Sequence, residues 1–233
     1  MEEKERVAKI LDVLEKRFPD ARLLLEFRNP FELLVATILA AQAPDERVNQ
    51  VTKTLFQRFP TPRDLSSAPL SDIEQIIQSL PYYRQKARFL KEASSILVEK
   101  FQGEVPPQLE ALTSLPGVGR KTANIVLANA FNIPALAVDT HVARVSQRLG
   151  LTSSSSPLEI EKDLTQIISP EQWIRATHLL SFLGRTTCSA KKPRCPECPV
   201  REWCPSFTFF WTVHRGEVEG EVELWVNLEV KKK

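Results

Sequence analysis

Leu115-Pro116-Gly117-Val118-Gly119-Arg120-Lys121-Thr122-Ala123 is the stretch from which the rest of the chain is read. Two glycines one residue apart close a tight hairpin between two helical patterns, with apolar Leu115 and Val118 to pack it. Such a turn leaves backbone N–H groups uncovered, a ready cradle for a phosphate. Lys121 then falls in the first turn of the next helix, near its positive dipole end. Further along, Val138-Asp139-Thr140-His141 puts an aspartate where a helix N-cap is expected. Alone, such a lysine is usually a solvated surface residue and such an aspartate a plain cap. Together, a phosphate cradle, an amine and a carboxylate fit chemistry on a nucleic-acid backbone.

The bulk numbers set the frame. At 233 residues, 42% apolar and 26% charged, the chain can bury a full core as one or two domains, and disorder is not expected. A net charge of +2 neither demands nor excludes a nucleic-acid partner, so local patches must decide. No apolar run reaches the length of a membrane span. The charged start Met1-Glu2-Glu3-Lys4-Glu5-Arg6 lacks the apolar core of a signal peptide. A cytoplasmic location is expected, with nucleoid association when bound to DNA, and no membrane partner.

Working outward from the hairpin, most of the chain reads as short helices with clear start signals. Helices are expected over about Gln108 to Ser114 and Arg120 to Phe131 on either side of it, then Thr140 to Leu149. Upstream, Val7, Ile10, Leu11, Leu14 and Phe18 share a face. Pro30 opens a helix with Phe31, Leu34, Val35, Ile38 and Leu39 on one side. Asp45 is read as the cap of a helix running to about Phe59, and another helix spans about Tyr83 to Phe101. Capping boxes are read at Ser71-x-x-Glu74 and Ser156-Pro157-x-Glu159, and Ser169-Pro170-x-Gln172 precedes a helix from Trp173 to Leu183. Strand signals appear only in the tail, where Phe207, Phe209, Trp211 and Val213, then Val222 to Val230, alternate as in a β-hairpin.

All four cysteines crowd into Cys188-x6-Cys195-x2-Cys198-x5-Cys204. Such crowding points to a metal or cluster site rather than to disulfide staples. Spacing alone leaves a structural Zn²⁺ open, and it differs from common ferredoxin spacings. Lys191, Lys192 and Arg194 lie between the first two cysteines, where a fixed basic loop suits phosphate contact.

From about Phe27 to Cys204 the chain closely resembles the helix-hairpin-helix DNA glycosylases, their endonuclease III branch in particular. The blocks that carry the likeness are Asn29-Pro30-Phe31-Glu32-Leu33-Leu34, Ala41-Gln42-Ala43, Gly103-Glu104-Val105-Pro106, the hairpin, Ala137-Val138-Asp139-Thr140-His141 and Gly184-Arg185-Thr186-Thr187-Cys188. The resemblance implies an all-α, two-lobed fold with a cluster loop and a short C-terminal β-hairpin. It implies a helical barrel over 21–134, a second helical domain from 1–20 and 135–206, and an extension over 207–233. Lys121 and Asp139 would face each other across the cleft.

The implied activity is that of a bifunctional DNA glycosylase and abasic-site lyase, acting on oxidised or ring-saturated pyrimidines in damaged double-stranded DNA, as a monomer. By resemblance Lys121 is the nucleophile and Asp139 the catalytic carboxylate. An ordinary lysine with pKa about 10.4 is neutral in only about 0.04% of molecules at pH 7. The helix N-terminus, Arg120 and partial burial are expected to lower that pKa. The four cysteines would hold a [4Fe-4S] cluster. Gly117, Val118, Gly119 and Arg120 would meet the DNA backbone, and carbonyls of Thr113, Leu115 and Val118 would hold a monovalent cation. Gln42 would enter the gap left by the flipped base and Asp45 would line the damage pocket. Pro81-Tyr82 departs from the branch, which has a glycine and an aliphatic wedge there; Tyr82 could stack on bases instead.

Two rivals are weighed. The mismatch-specific adenine glycosylase branch generally lacks the lysine and usually carries a further C-terminal domain. A non-catalytic DNA-binding module with structural zinc would show neither visible absorbance nor covalent trapping. The tail holds five glutamates and no basic residue between Glu217 and Glu229, which would repel DNA. Its hairpin is expected to pack on the protein's own helices, with dimerisation by edge pairing as the alternative.

Overall fold

The computed structural model describes residues 3–209, and every regular element among them is helical. Eleven α-helices follow in order: α1 (Glu3–Arg17), α2 (Pro30–Leu39), α3 (Asp45–Arg58), α4 (Pro62–Ser67), α5 (Leu70–Ile77), α6 (Tyr83–Phe101), α7 (Leu109–Thr113), α8 (Arg120–Phe131), α9 (Thr140–Arg148), α10 (Pro157–Ile167) and α11 (Trp173–Thr186). They form two compact units. One is Arg22–Ala137 with Pro170–Ile174; the other takes its described residues from Met1–Ala21, Val138–Ser169 and Arg175–Lys233.

The Arg22–Ala137 unit is built around α2. Sequence spacing gives this helix one apolar face, yet all its residues from Phe31 to Leu39 are buried. A helix that is apolar nearly all round belongs at the centre of a core. Its two polar residues are satisfied locally. Glu32 accepts from the Arg28 amide (2.8 Å) and guanidinium, and its own amide donates to Asn29 Oδ1 (2.9 Å). The Thr37 hydroxyl bonds the carbonyls of Leu33 and Leu34. Leu55, Leu65, Ile73, Ile77, Leu97 and Leu112, all fully buried, complete the core.

The other unit joins α1 to α9, α10 and α11. Val7, Ile10, Leu11 and Leu14 of α1 are buried, as are Val142, Val145, Ile160, Leu164, Leu179 and Leu183. Two arginines tie the ends of the sequence together. Arg6 donates to the carbonyls of Leu149 (2.7 Å), Gly150 (2.9 Å) and Trp203 (3.1 Å). Arg175 donates to the Glu15 carboxylate and to the carbonyls of Phe18, Pro19 and Ala21 at the end of α1. Gly184 lets α11 approach α9, since a Cβ there would lie 2.8 Å from that of His141.

Several expected starts are corrected. Asp45 is the first residue of α3 and Pro44 is its cap, because a helix readily begins after proline's fixed extended conformation. The Ser71 box does not form, because α5 starts two residues earlier, at Leu70, with Pro69 in the cap position. Ser156 is the cap of α10 and Pro157 follows it, but the side-chain cap bond is not made. A box that was not expected opens α4, where Thr61 and Asp64 bond each other's backbone amides. Residues 207–209 have helical backbone where an aromatic strand is expected; the rest of the expected hairpin lies outside the described residues.

Candidate active site and nucleic-acid interface

Between α7 and α8 the chain turns on a few backbone bonds. The Leu115 amide donates to Leu112 O and the Val118 amide to Leu115 O, both at 3.1 Å. Leu115 and Val118 are buried, which pins the loop to the core. Gly117 sits at φ +79°, and a Cβ there would lie 2.8 Å from the Phe89 ring, so only glycine satisfies both backbone and space. Gly119 caps α8 in extended conformation, and a Cβ there would meet nothing within 4 Å. The Val118 amide is thus consumed inside the turn. Those of Gly117 and Gly119 are left to meet a ligand, beside the positive end of α8. Lys121, in the first turn of α8, is exposed, so the expected partial burial is not found. Arg120 beside it is exposed as well.

Four non-glycine residues of the same unit have left-handed backbone; Gln102 and Asn132 end α6 and α8, and the other two precede helices. Gln42, between α2 and α3, lies at φ +54°, and Tyr82, before α6, at φ +56°. Neither is glycine, and each costs on the order of 1–2 kcal/mol in strain. Gln42 is exposed and Tyr82 is 63% exposed. Asp45 is half-buried in the first turn of α3.

In the other unit Asp139 caps α9. Its Oδ1 accepts from the Val142 amide (2.7 Å), and its Oδ2 accepts from the Ser181 hydroxyl (3.1 Å). The carboxylate is therefore fixed at both oxygens while remaining partly accessible. Burial pushes the His141 imidazole below its ordinary pKa, partly opposed by the Asp139 charge. Arg144 ties α9 to the cysteine segment through the carbonyls of Cys188 (3.0 Å) and Gly184 (2.9 Å).

The four cysteines line one cavity with about 400 Å³ of empty space, part of it open to solvent. Arg148, buried, organises its wall. Its guanidinium donates to Cys188 Sγ (3.5 Å), Ser189 O (2.7 Å) and Ala190 O (2.8 Å), and its carbonyl accepts from Cys204 Sγ (3.3 Å). Burial first, then the neighbouring thiols, pushes Cys195 and Cys198 up to about 11, and burial raises Cys204 as well. Thiols held this way keep their protons until a metal centre binds the sulfur as thiolate and the proton is released to solvent. Among the described residues no three His, Cys, Asp or Glu side chains converge closely enough to share one metal ion.

Residues 35–170 match the HhH-GPD superfamily base excision DNA repair proteins. Endonuclease III of Synechocystis sp. is 48% identical over 87% of this chain and 93% of its own length. The chain belongs to the HhH-GPD superfamily. Endonuclease III of Bacillus subtilis is also 48% identical, over 83% of this chain and 89% of its own. A trapped endonuclease III–DNA covalent intermediate matches with a TM-score of 0.85 and 47% identity, covering 90% of this chain and 99% of that one. A thermostable thymine-DNA glycosylase, 22% identical with a TM-score of 0.79, shares the fold.

Against this HhH-GPD frame the expected residues sort by unit. Gln42, Asp45, Tyr82, the hairpin and Lys121 lie in one, and Asp139 and the cysteines in the other. The Leu115 carbonyl proposed for a cation already accepts one bond, from Val118, and Thr113 is exposed. Of the basic loop, Lys191 and Lys192 are exposed, whereas Arg194 is engaged by Glu197 (3.2 Å) and the Thr186 carbonyl. Ser181 and Arg148 were not foreseen. Their partners lie 42 and 41 residues away, and no local pattern announces them. Among the described residues no helix is long and apolar enough to cross a membrane.

Proposed function

We propose that this chain is a DNA glycosylase and abasic-site lyase of base excision repair, acting on oxidised or ring-saturated pyrimidines in duplex DNA. The observation that carries the reading is an exposed lysine in the first turn of α8, directly after a turn with two uncommitted glycine amides. Those amides hold a phosphate next to the damaged nucleotide and so bring its sugar to the amine. The neutral Lys121 Nζ attacks C1′; the C1′–N bond to the base breaks and the base leaves with its electron pair. Loss of the ring C–O bond gives a Schiff base. Removal of a C2′ proton then breaks the C3′–O bond and cuts the strand, and water releases the enzyme. Asp139, held at both oxygens, stabilises positive charge on the sugar as the base departs.

Gln42 and Tyr82 fill the space left by the extruded nucleotide, and Asp45 borders the damaged base. Lys191 and Lys192 add sequence-independent phosphate contacts. The Thr113, Leu115 and Val118 carbonyls are candidates for a monovalent cation bound beside the phosphate. The enzyme works as a monomer in the cytoplasm, on the nucleoid.

The cysteines fit a [4Fe-4S] cluster. The donors are all soft thiols, they line a single cavity, and Arg148 donates toward one sulfur. When bound, the cluster supplies structural cross-linking of the segment that carries Lys191 and Lys192. Borohydride trapping on duplex DNA with one defined lesion tests the reading. A covalent adduct lost in Lys121→Gln is expected; an undiminished adduct in that variant refutes it. Iron and sulfide analysis tests the cluster, which one zinc per chain would exclude.

A further inference from the structure

The left-handed turns at Gln42 and Tyr82 meet at a single buried residue. Lys86, in the first turns of α6, is only 4% exposed. Its Nζ donates to the carbonyls of Leu39 (2.9 Å) and Ala41 (2.7 Å), the end of α2 and the residue just before Gln42. Its backbone amide donates to the carbonyl of Tyr82 (3.0 Å). That backbone bond is the first main-chain bond of α6, so the side chain of Lys86 reaches the Gln42 turn from the helix turn that Tyr82 caps. Arg47 Nη1 adds a weaker tie on the same side, to the Ser79 carbonyl (3.2 Å) in the approach to Tyr82.

A lysine is rarely placed in a core, and burial lowers this one's pKa. A hydrophobe would fill the space without that penalty, but it would leave two carbonyls at the end of α2 unbonded. Their acceptance of a cation satisfies them and suits the negative end of that helix. Left-handed backbone at Gln102 and Asn132 is the ordinary end of a helix; at Gln42 it is held by the bond of Lys86 to the preceding carbonyl and presents an exposed side chain.

We propose that Lys86 is a positioning residue for damage recognition: from inside the core it staples the Gln42 turn to the helix that follows Tyr82, and so fixes two exposed side chains for the gap left by an extruded nucleotide. The inference rests on the reading of Gln42 and Tyr82 as gap-filling residues. Lys86 acts on extrusion from a duplex, and not on the lysine chemistry that follows. Single-stranded DNA with an abasic site offers no gap to fill and isolates that chemistry.

The test is a matched pair of assays on Lys86→Met, with Gln42→Ala and Tyr82→Ala alongside. Single-turnover excision from a lesion-containing duplex should fall about 10-fold or more, since small misplacements of positioned groups cost up to about 10²-fold. Cleavage of single-stranded abasic DNA should stay within about 2-fold, because it bypasses base extrusion. A 2-aminopurine opposite the lesion should lose the brightening on binding that reports its unstacking. In Gln42→Ala/Lys86→Met the second change should add little to the first. Equal losses on both substrates, or none, would overturn the staple. If the two alanine variants leave duplex excision unchanged, the gap-filling reading fails and the inference fails with it. If they lose excision while Lys86→Met keeps it, the inference alone fails. Should Lys86→Met not fold, Lys86→Gln carries the same comparison, a selective duplex loss supporting the staple and any other result overturning it.

Discussion

The α7–α8 hairpin and the turns at Gln42 and Tyr82 solve opposite problems with the same backbone conformation. In the hairpin the left-handed position is Gly117, and the groups offered outward are main-chain amides. At Gln42 and Tyr82 the left-handed positions hold long side chains that are exposed. Where the backbone is the functional group, glycine relieves the strain and uncovers the amide. Where the side chain is the functional group, glycine would remove it, and the strain must be held by neighbours such as Lys86. On the function proposed above, the difference separates phosphate binding, which any sequence permits, from recognition of a disrupted base stack.

Lys121→Gln gives the sharpest break between holding DNA and cutting it. Trapping should fall to background, at least about 10³-fold, while duplex affinity stays within about 2-fold, because the amides do the holding. Gel-shift titration beside borohydride trapping checks both halves. Asp139→Asn comes next. Asparagine keeps the α9 cap, so Tm should move by no more than about 2 °C, but single-turnover excision should fall about 10²-fold. An unchanged rate would reduce Asp139 to a cap.

Gly117→Ala attacks the other side of the comparison. The added methyl meets Phe89 at a left-handed position, a cost of roughly 1–3 kcal/mol and several degrees in Tm. Affinity should drop for damaged and undamaged DNA alike; a loss confined to damaged DNA would assign lesion reading to the hairpin. Gln42→Gly has the smallest expected effect on the fold. Relief of about 1 kcal/mol of strain is offset by the freedom of glycine in the unfolded chain, so Tm should stay within about 2 °C. Excision should still fall about 10-fold, since the inserted side chain is gone. A fully active Gln42→Gly would erase the contrast between the two kinds of turn.

Much of this was legible along the chain, and the failures share a cause. The bounds of α6 and α8 follow from apolar spacing and stop signals, and the observed helices match those expected. The hairpin was legible because two glycines at a fixed interval leave few other conformations. Helix α4 went unread because it buries only Pro62 and Leu65, too few for a periodic signal. Ser71 misled because Pro69 starts the helix first. Lys86, Arg148 and Ser181 were invisible because each serves groups more than forty residues away, and a lone lysine, arginine or serine carries no mark of such a partner.

The unit that contains Asp139 is discontinuous, and that has a consequence for the order of synthesis. Arg175, which ties down the end of α1, follows Glu15 by 160 residues. At about 5–20 residues per second the ribosome needs on the order of 8–30 s to supply it. Through that interval the whole Arg22–Ala137 stretch emerges and has time to fold around α2, with the apolar stripe of Val7, Ile10, Leu11 and Leu14 still waiting for its cover. The core around α2 thus has time to form on a nascent chain before the four cysteines have been made, while α1, translated ahead of it, is still to be secured.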